Sequence, residues 1–178
     1  MESNHEVQQE APEFRIDEEL VKSRIEALKD EQNLGNGIIG GLLGGLMGAM
    51  LWALITYATD YQIGWMAVGV GFLVGLGLRS MGRGMERIFG VAGALMALLS
   101  VVLGNFLVII GMIAKLEGAS IFEILFRFKY SLTFFLMKET FQVMDVLFYG
   151  IAIYAGYRYS FRKVTQADLL EGAIAPAD

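Results

Sequence analysis

Two polar residues inside long apolar runs are the strongest candidates for chemistry. Asp145 is the one acidic residue within a run that could span a membrane, and Asn105 lies in an earlier apolar run. A carboxylate in hydrocarbon is a candidate ligand for a proton or a cation, because burying it there is expensive. If the two helices are neighbours, Asp145 and Asn105 would line a polar path.

Each of these residues also has a purely structural interpretation. Asp145 lies near the start of its run, where a carboxylate can satisfy the free N–H groups of a first helical turn. Asn105 can form an interhelical hydrogen bond worth about 0.6–2 kcal/mol. Both interpretations remain open from the sequence.

The composition excludes most catalytic chemistry. His5 is the only histidine, and the chain has no cysteine. A Ser-His-Asp arrangement, thiol catalysis and cysteine-ligated metals are therefore excluded. We expect no catalytic residue, no cofactor and no metal site, and we do not expect an enzyme. The soluble stretches have no basic patch interleaved with aromatic residues, so nucleic acid is not an expected partner.

Long apolar runs determine the fold class. The chain is 55% hydrophobic and contains 22 glycines, whereas soluble domains are about 45–50% apolar. We predict an all-α, polytopic helical membrane protein with four transmembrane helices, an interfacial amphipathic helix and an N-terminal cytoplasmic helix. The transmembrane domain covers residues 37–163, with spans at about 37–58, 64–81, 88–114 and 141–158.

Glycines recur at helical spacing in the first two spans and are predicted to be helix-packing residues. The first span carries two rows, Gly37, Gly41 and Gly45 beside Gly40, Gly44 and Gly48. In the second span, Ala67, Gly71 and Gly75 form a row that we expect to pack against the first span. Small residues let helix backbones approach closely in a membrane. The remaining row of the first span would face another helix, either in the bundle or on a partner chain.

Basic residues predict the topology. Arg79, Arg83 and Arg87 follow the second span, and Arg158, Arg162 and Lys163 follow the last. By the positive-inside rule these groups are cytoplasmic and contact lipid headgroups, which gives cytoplasmic N- and C-termini. A specific anion or phosphate site is the alternative interpretation of the first group, although it matches no phosphate-binding motif.

Residues 119–138 are apolar and aromatic but interrupted by charges. Glu123 and Arg127 can pair at i, i+4, and Lys129 would have to snorkel. A span here would bury each ion at about 2.5–3.5 kcal/mol. We therefore favour an interfacial or re-entrant helix over a fifth span.

The N-terminal residues 1–34 form an acidic tail, which carries ten of the chain's nineteen acidic residues. A helix is predicted over 14–32, with Asp17 as N-cap, Glu18 and Glu19 in the first turn, and an apolar stripe. Residues 34–37 are expected to break this helix before the first span. It would rest on a surface or dock a partner. Residues 164–178 are predicted to be a polar cytoplasmic tail.

Two span sequences carry a resemblance to a family. Residues 144–154 (MDVLFYGIAIY), followed by Tyr157 and Arg158, resemble the last span of small bacterial multi-pass inner-membrane proteins. Residues 64–72 (GWMAVGVGF) are similar to their second span. The resemblance implies a protein of the bacterial cytoplasmic (inner) membrane and brings no activity with it.

Two functions follow as hypotheses. The first is an accessory, scaffold or assembly protein that acts through glycine-mediated helix packing. Its partners would be the lipid bilayer and either a second copy or another membrane protein. The alternative is a small transporter or channel subunit, in which Asp145, Asn105 and one of Arg79 and Arg83 line a path.

Overall fold

A computed structural model describes residues 15–16, 18–61, 63–127, 135, 138–139, 143–170 and 174–175. The chain forms two compact units: Gln32–Arg162 makes the first, and the two chain ends, Met1–Glu31 and Lys163–Asp178, make the second. The described elements are the helices α1 (Glu18–Asp30), α2 (Leu34–Thr59), α3 (Trp65–Gly82), α4 (Arg87–Glu117), α5 (Ile121–Arg127), α6 (Val143–Tyr159) and α7 (Gln166–Leu170), and the two-residue strands β1 (Arg15–Ile16) and β2 (Ile174–Ala175).

The four long helices of the first unit alternate in direction. At one end, Asn33 N donates to Gly82 O (3.0 Å) and Arg162 N donates to Gly84 O (2.7 Å). The start of α2, the end of α3 and the end of α6 therefore meet beside the start of α4. This end, called the arginine end below, carries Arg79, Arg83, Arg87, Arg158 and Arg162.

The opposite end, called the Asp60 end, is held by two contacts. The α2–α3 turn is joined to the end of α4 by an ion pair, Lys115 Nζ to Asp60 Oδ1 at 2.6 Å. The start of α3 meets α6 where the Trp65 and Phe148 rings pack edge to face, 5.6 Å between centroids. Because α4 ends and α6 begins here, the chain between them leaves and returns at the same end.

Within the part of the chain that the structure describes, three helices are long and apolar enough to cross a membrane: α2, α3 and α4. Large apolar side chains cover the outward side of α2, including Leu42 (60% exposed) and Leu54 (63% exposed). Soluble monomers rarely expose apolar surface on this scale. The structure therefore fits a helical membrane protein.

The observed helix bounds lie within three residues of the four predicted spans. The prediction that residues 34–37 interrupt the helical structure before the first span is wrong, because α2 begins at Leu34. The Asn33 side chain accepts a hydrogen bond from Asn36 N at 2.9 Å and caps the helix there. The interruption therefore falls at residues 31–33, just before this cap.

One row of α2 glycines packs directly on the backbone of α3. A Cβ at Gly40 would overlap the carbonyl oxygen of Gly77, and one at Gly44 would overlap that of Leu73. A Cβ at Gly48 would lie 3.1 Å from the Cα of Val70. Only glycine allows so close an approach of two helices at these positions.

The second row of α2 faces α3 and α4 together. A Cβ at Gly41 would come within 2.7 Å of Met96 in α4 and 3.0 Å of Leu78 in α3. Gly45 lies against the Ser100 hydroxyl, and Gly37 lies against Leu78, Gly82 and Phe89. Both rows are therefore covered within the chain, which answers a question that the sequence left open.

The predicted partner of the Gly71 and Gly75 row is wrong. A Cβ at Gly71 would overlap the carbonyl oxygen of Ala152, and one at Gly75 would lie 2.8 Å from Tyr159 Cβ. Both neighbours belong to α6 rather than α2. Since α3 packs on α2 and α6 with different sides, a four-residue spacing identifies a close contact but not the helix that makes it.

Helix α5 folds back onto α4. Ile124 is buried in one cluster with Ile110 and Ala114. The predicted pair is confirmed, since Arg127 Nη1 lies 3.0 Å from Glu123 Oε1. Lys129 and the rest of 128–134, together with 136–137, lie outside the described residues, so the predicted helix over 119–138 is described only in part.

The second unit joins the two chain ends. Helix α1 has Glu18 and Glu19 in its first turn, as predicted. The predicted helical start at residue 14 is wrong, because Arg15 and Ile16 form β1, while Asp17 lies outside the described residues. Arg24 Nε donates to Asp168 O at 3.2 Å, and β1 pairs with β2 in antiparallel register. The sequence analysis treated residues 164–178 as a separate tail and missed this association.

We predict that Gly77→Ala destabilises the fold by about 1–3 kcal/mol, because its methyl group would enter the carbonyl group of Gly40. Gly69→Ala is the matched control on the same helix, since a Cβ there meets nothing within 4 Å. The control should be neutral or stabilising by up to about 1 kcal/mol. Unfolding in mixed micelles titrated with denaturing detergent measures both, and equal losses would contradict the packing described.

Candidate functional site

The arginine end is rigidly built. Arg83 caps α3 in the left-handed conformation (φ 49°), and its N–H donates to Arg79 O at 3.1 Å. Gln32 Oε1 accepts hydrogen bonds from Met85 N (2.7 Å) and Glu86 N (3.1 Å). The loop after α3 is therefore fixed to the start of α2.

This end combines both arginine groups that the sequence analysis used for topology. Arg79 lies in the last turn of α3 and Arg158 in the last turn of α6. Guanidinium groups are well suited to phosphate oxygens. Contact of these arginines with lipid headgroups stays a prediction. Lys163 belongs to the other unit.

Asn105 makes the interhelical hydrogen bond that the structural interpretation predicted. It is 5% exposed on α4, and its Nδ2 donates to the Tyr149 hydroxyl on α6 at 3.3 Å. The bond links the two helices in the Asp60 half of the bundle. Tyr149, rather than Asp145, accepts this hydrogen bond, and Tyr149 was not among the site residues predicted from the sequence.

Asp145 occupies the first turn of α6, as its structural interpretation predicted. It is partly exposed and lies one helical turn before Tyr149. Asp145 is therefore at the margin of the bundle, while Asn105 is inside it.

Two further polar groups lie inside the bundle and were missed by the sequence analysis. Trp52 and Thr56 of α2 are each 2% exposed. Neither Trp52 Nε1 nor Thr56 Oγ1 has a hydrogen-bond partner among the protein groups that the structure describes. A buried polar group without a partner costs about 1–3 kcal/mol. Their positions were a usable signal, because they continue the inward row of Gly41 and Gly45 by further helical turns.

Packing puts these groups at the level of Asn105. Trp52 shares one core cluster with Val101, Val108 and Tyr149. Asn105 lies between Val101 and Val108 on the same side of α4. A Cβ at Gly104, the residue before Asn105, would come within 2.7 Å of the Trp52 indole.

The position of Thr56 along the bundle follows from the register of α2 and α4, which run parallel to each other. Gly104 lies against Trp52, and Gly111 lies against Tyr57. Thr56 falls between these two contacts. We call Trp52, Thr56, Asn105, Tyr149 and Asp145 the polar layer.

Between the polar layer and the arginine end, most buried side chains are apolar. Val74, Leu78, Phe89 and Ala97 form a cluster in which every member is at most 2% exposed. The buried hydroxyl of Ser160 donates to the carbonyl of Gly156. The polar layer therefore lies in the Asp60 half of the bundle, and Asp145 is a partly exposed member of it.

Within the residues that the structure describes, no three histidine, cysteine, aspartate or glutamate side chains are grouped to hold a metal ion. His5 lies outside those residues. Comparison with known proteins found no matching family model, no matching curated protein and no matching solved structure.

We predict that Asn105→Leu and Tyr149→Phe are coupled by about 0.6–2 kcal/mol, because either change removes the same interhelical hydrogen bond. Unfolding free energies of the two single variants and the double variant give the coupling. Tyr154→Phe is the control, since Tyr154 is 64% exposed on the same helix. Strictly additive losses would show that the hydrogen bond contributes nothing.

Proposed function

We propose that the chain is an integral membrane accessory or assembly protein with four transmembrane helices. The observation that supports this best is the close packing of α2, α3, α4 and α6 through glycines. Backbone meets backbone at Gly40 with Gly77 and at Gly93 with Gly156. Such a bundle suits a rigid membrane body better than a wide channel.

The direction of α6 supports the fourth span. Its 17 residues correspond to about 25 Å of helix, and it packs antiparallel to α4. The chain between α4 and α6 leaves and returns at the Asp60 end. A single extra crossing there would reverse α6, so four spans agree better with the geometry than five do.

The distribution of charged residues between the two ends supports the predicted orientation of the protein in the membrane. The arginine end carries five arginines and Glu86, whereas at the Asp60 end Lys115 is neutralised by Asp60. Under the positive-inside rule the arginine end faces the cytoplasm. Because α2 begins there and α6 ends there, both termini would be cytoplasmic. The span resemblance favours the bacterial inner membrane.

A partner would have to use surfaces other than the α2 glycine rows, since these are covered. Helix α1 offers one such surface. Glu26 and Asp30 are exposed and one turn apart, so they present acidic groups on one side of the helix. We propose that this side binds either a second copy or another membrane protein.

A second candidate function is transport of a proton or a small polar species. The hydrogen bond between Asn105 and Tyr149 favours it, together with the position of Asp145 one helical turn before Tyr149. The apolar cluster toward the arginine end argues against a continuous path. Transport would therefore require this cluster to open.

We predict that single cysteines report four spans. The chain has no native cysteine, so Tyr61→Cys and Ser120→Cys should react with an impermeant maleimide added to intact cells. Glu86→Cys and Gln166→Cys should react only after the membrane is permeabilised. If Gln166→Cys reacts outside while Glu86→Cys stays protected, the number of spans is wrong.

We further predict that the protein, purified in gentle detergent, keeps a second copy or a partner, and that Glu26→Lys with Asp30→Lys releases it by reversing the charge of α1. Native mass spectrometry measures the complex. Glu117→Lys, a charge reversal of an exposed acid at the Asp60 end, is the matched control.

A wild-type protein found only at the monomer mass would contradict the assembly proposal.

Asp145→Asn separates the two candidate functions. It should leave the complex intact if the protein is an assembly factor. It should abolish flux into proteoliposomes if the protein is a transporter.

A further inference from the structure

The polar layer contains hydrogen-bonding capacity that the protein itself does not use. Trp52 Nε1 and Thr56 Oγ1 are buried without a partner among the described protein groups. The first can only donate a hydrogen bond, while a threonine hydroxyl can donate and accept. Together they call for a ligand that accepts a hydrogen bond from the indole and either accepts from or donates to the hydroxyl.

The ligand must also be small. Trp52 packs among Ala67, Val70 and Val101 in a cluster whose buried members are at most 2% exposed. The neighbouring glycine contacts bring α2 close to both α3 and α4. Such surroundings suit water better than an organic molecule, because a water typically satisfies two to four buried polar groups.

We infer that the polar layer is a water-binding site inside the bundle, in which water accepts from Trp52 Nε1 and bonds to the Thr56 hydroxyl beside the Asn105–Tyr149 pair. This site goes beyond the proposed assembly function and does not depend on it. A cation is a poorer ligand for this site, because the indole N–H presents a positive hydrogen.

We expect water to reach this site from the Asp60 end. Asp145 is partly exposed at the start of α6 and is a polar group on that side. Toward the arginine end, Val74, Leu78, Phe89 and Ala97 form a buried apolar cluster, which disfavours water there.

The two tryptophans make the inference testable in the full chain. Trp52 is buried and Trp65 is 66% exposed, so Trp65→Phe leaves Trp52 as the only indole. With this variant in nanodiscs and labelled with ¹⁵N-tryptophan, NMR should show magnetisation transfer between water and the Trp52 indole proton. No transfer would overturn the inference.

Threonine variants locate the water. Thr56→Val keeps the shape of the side chain, removes the hydroxyl and should abolish the transfer, whereas Thr56→Ser should retain it. Thr59→Val is the matched control, because Thr59 is exposed and its hydroxyl donates to Ile55 O at 2.7 Å. Transfer that survives Thr56→Val would overturn the assignment of the site.

The fluorescence emission of Trp52 gives a second measurement in the Trp65→Phe protein. Loss of the bound water should shift the emission of the Thr56→Val protein to shorter wavelength. An unchanged spectrum, together with transfer that persists, would count against the site.

Discussion

Direct contact between helix backbones is the constraint on which the structure depends. In a bilayer the lipid is as apolar as the helix surface, so helices associate through packing rather than through the hydrophobic effect. Glycine makes that packing dense. Gly40 with Gly77, Gly71 with Ala152, and Gly93 with Gly156 join the four long helices pairwise at backbone distance. The outward sides are left free for large apolar residues.

The same density explains why the few interior polar groups matter. Where backbones touch, no side chain can move far, so a buried indole or hydroxyl cannot reach the surface to find a partner. The Asn105–Tyr149 hydrogen bond lies where glycine contacts give way to Trp52, the largest side chain in the bundle's core. Close packing and polarity therefore divide the bundle: the arginine half has a buried apolar cluster, and the other half has the polar layer.

Much of the fold was predictable, because hydropathy and glycine spacing are local signals. They predicted the four long helices to within three residues and identified glycines that lie at close contacts. They did not predict that Gly71 and Gly75 meet α6, because spacing along one helix carries no information about its neighbours. The pairing of β1 with β2 was missed for a related reason: two-residue strands at opposite ends of the chain leave no periodic pattern. Asn105 was predicted to bond across helices, but Tyr149, Trp52 and Thr56 became site residues only once the helix register was known.

Arg83 shows how space can override conformational preference. The sequence around it is Gly82-Arg83-Gly84, yet the left-handed residue is the arginine between them. The reason is steric: a Cβ at Gly82 would lie 2.7 Å from Gly37 Cα, and one at Gly84 would overlap the Phe89 ring. Neither glycine position has room for a side chain. The left-handed conformation is adopted by Arg83 between them, at a conformational cost of about 1–2 kcal/mol. Two neighbouring glycines in such a loop thus mark crowding rather than flexibility, and an insertion here would be poorly tolerated in related chains.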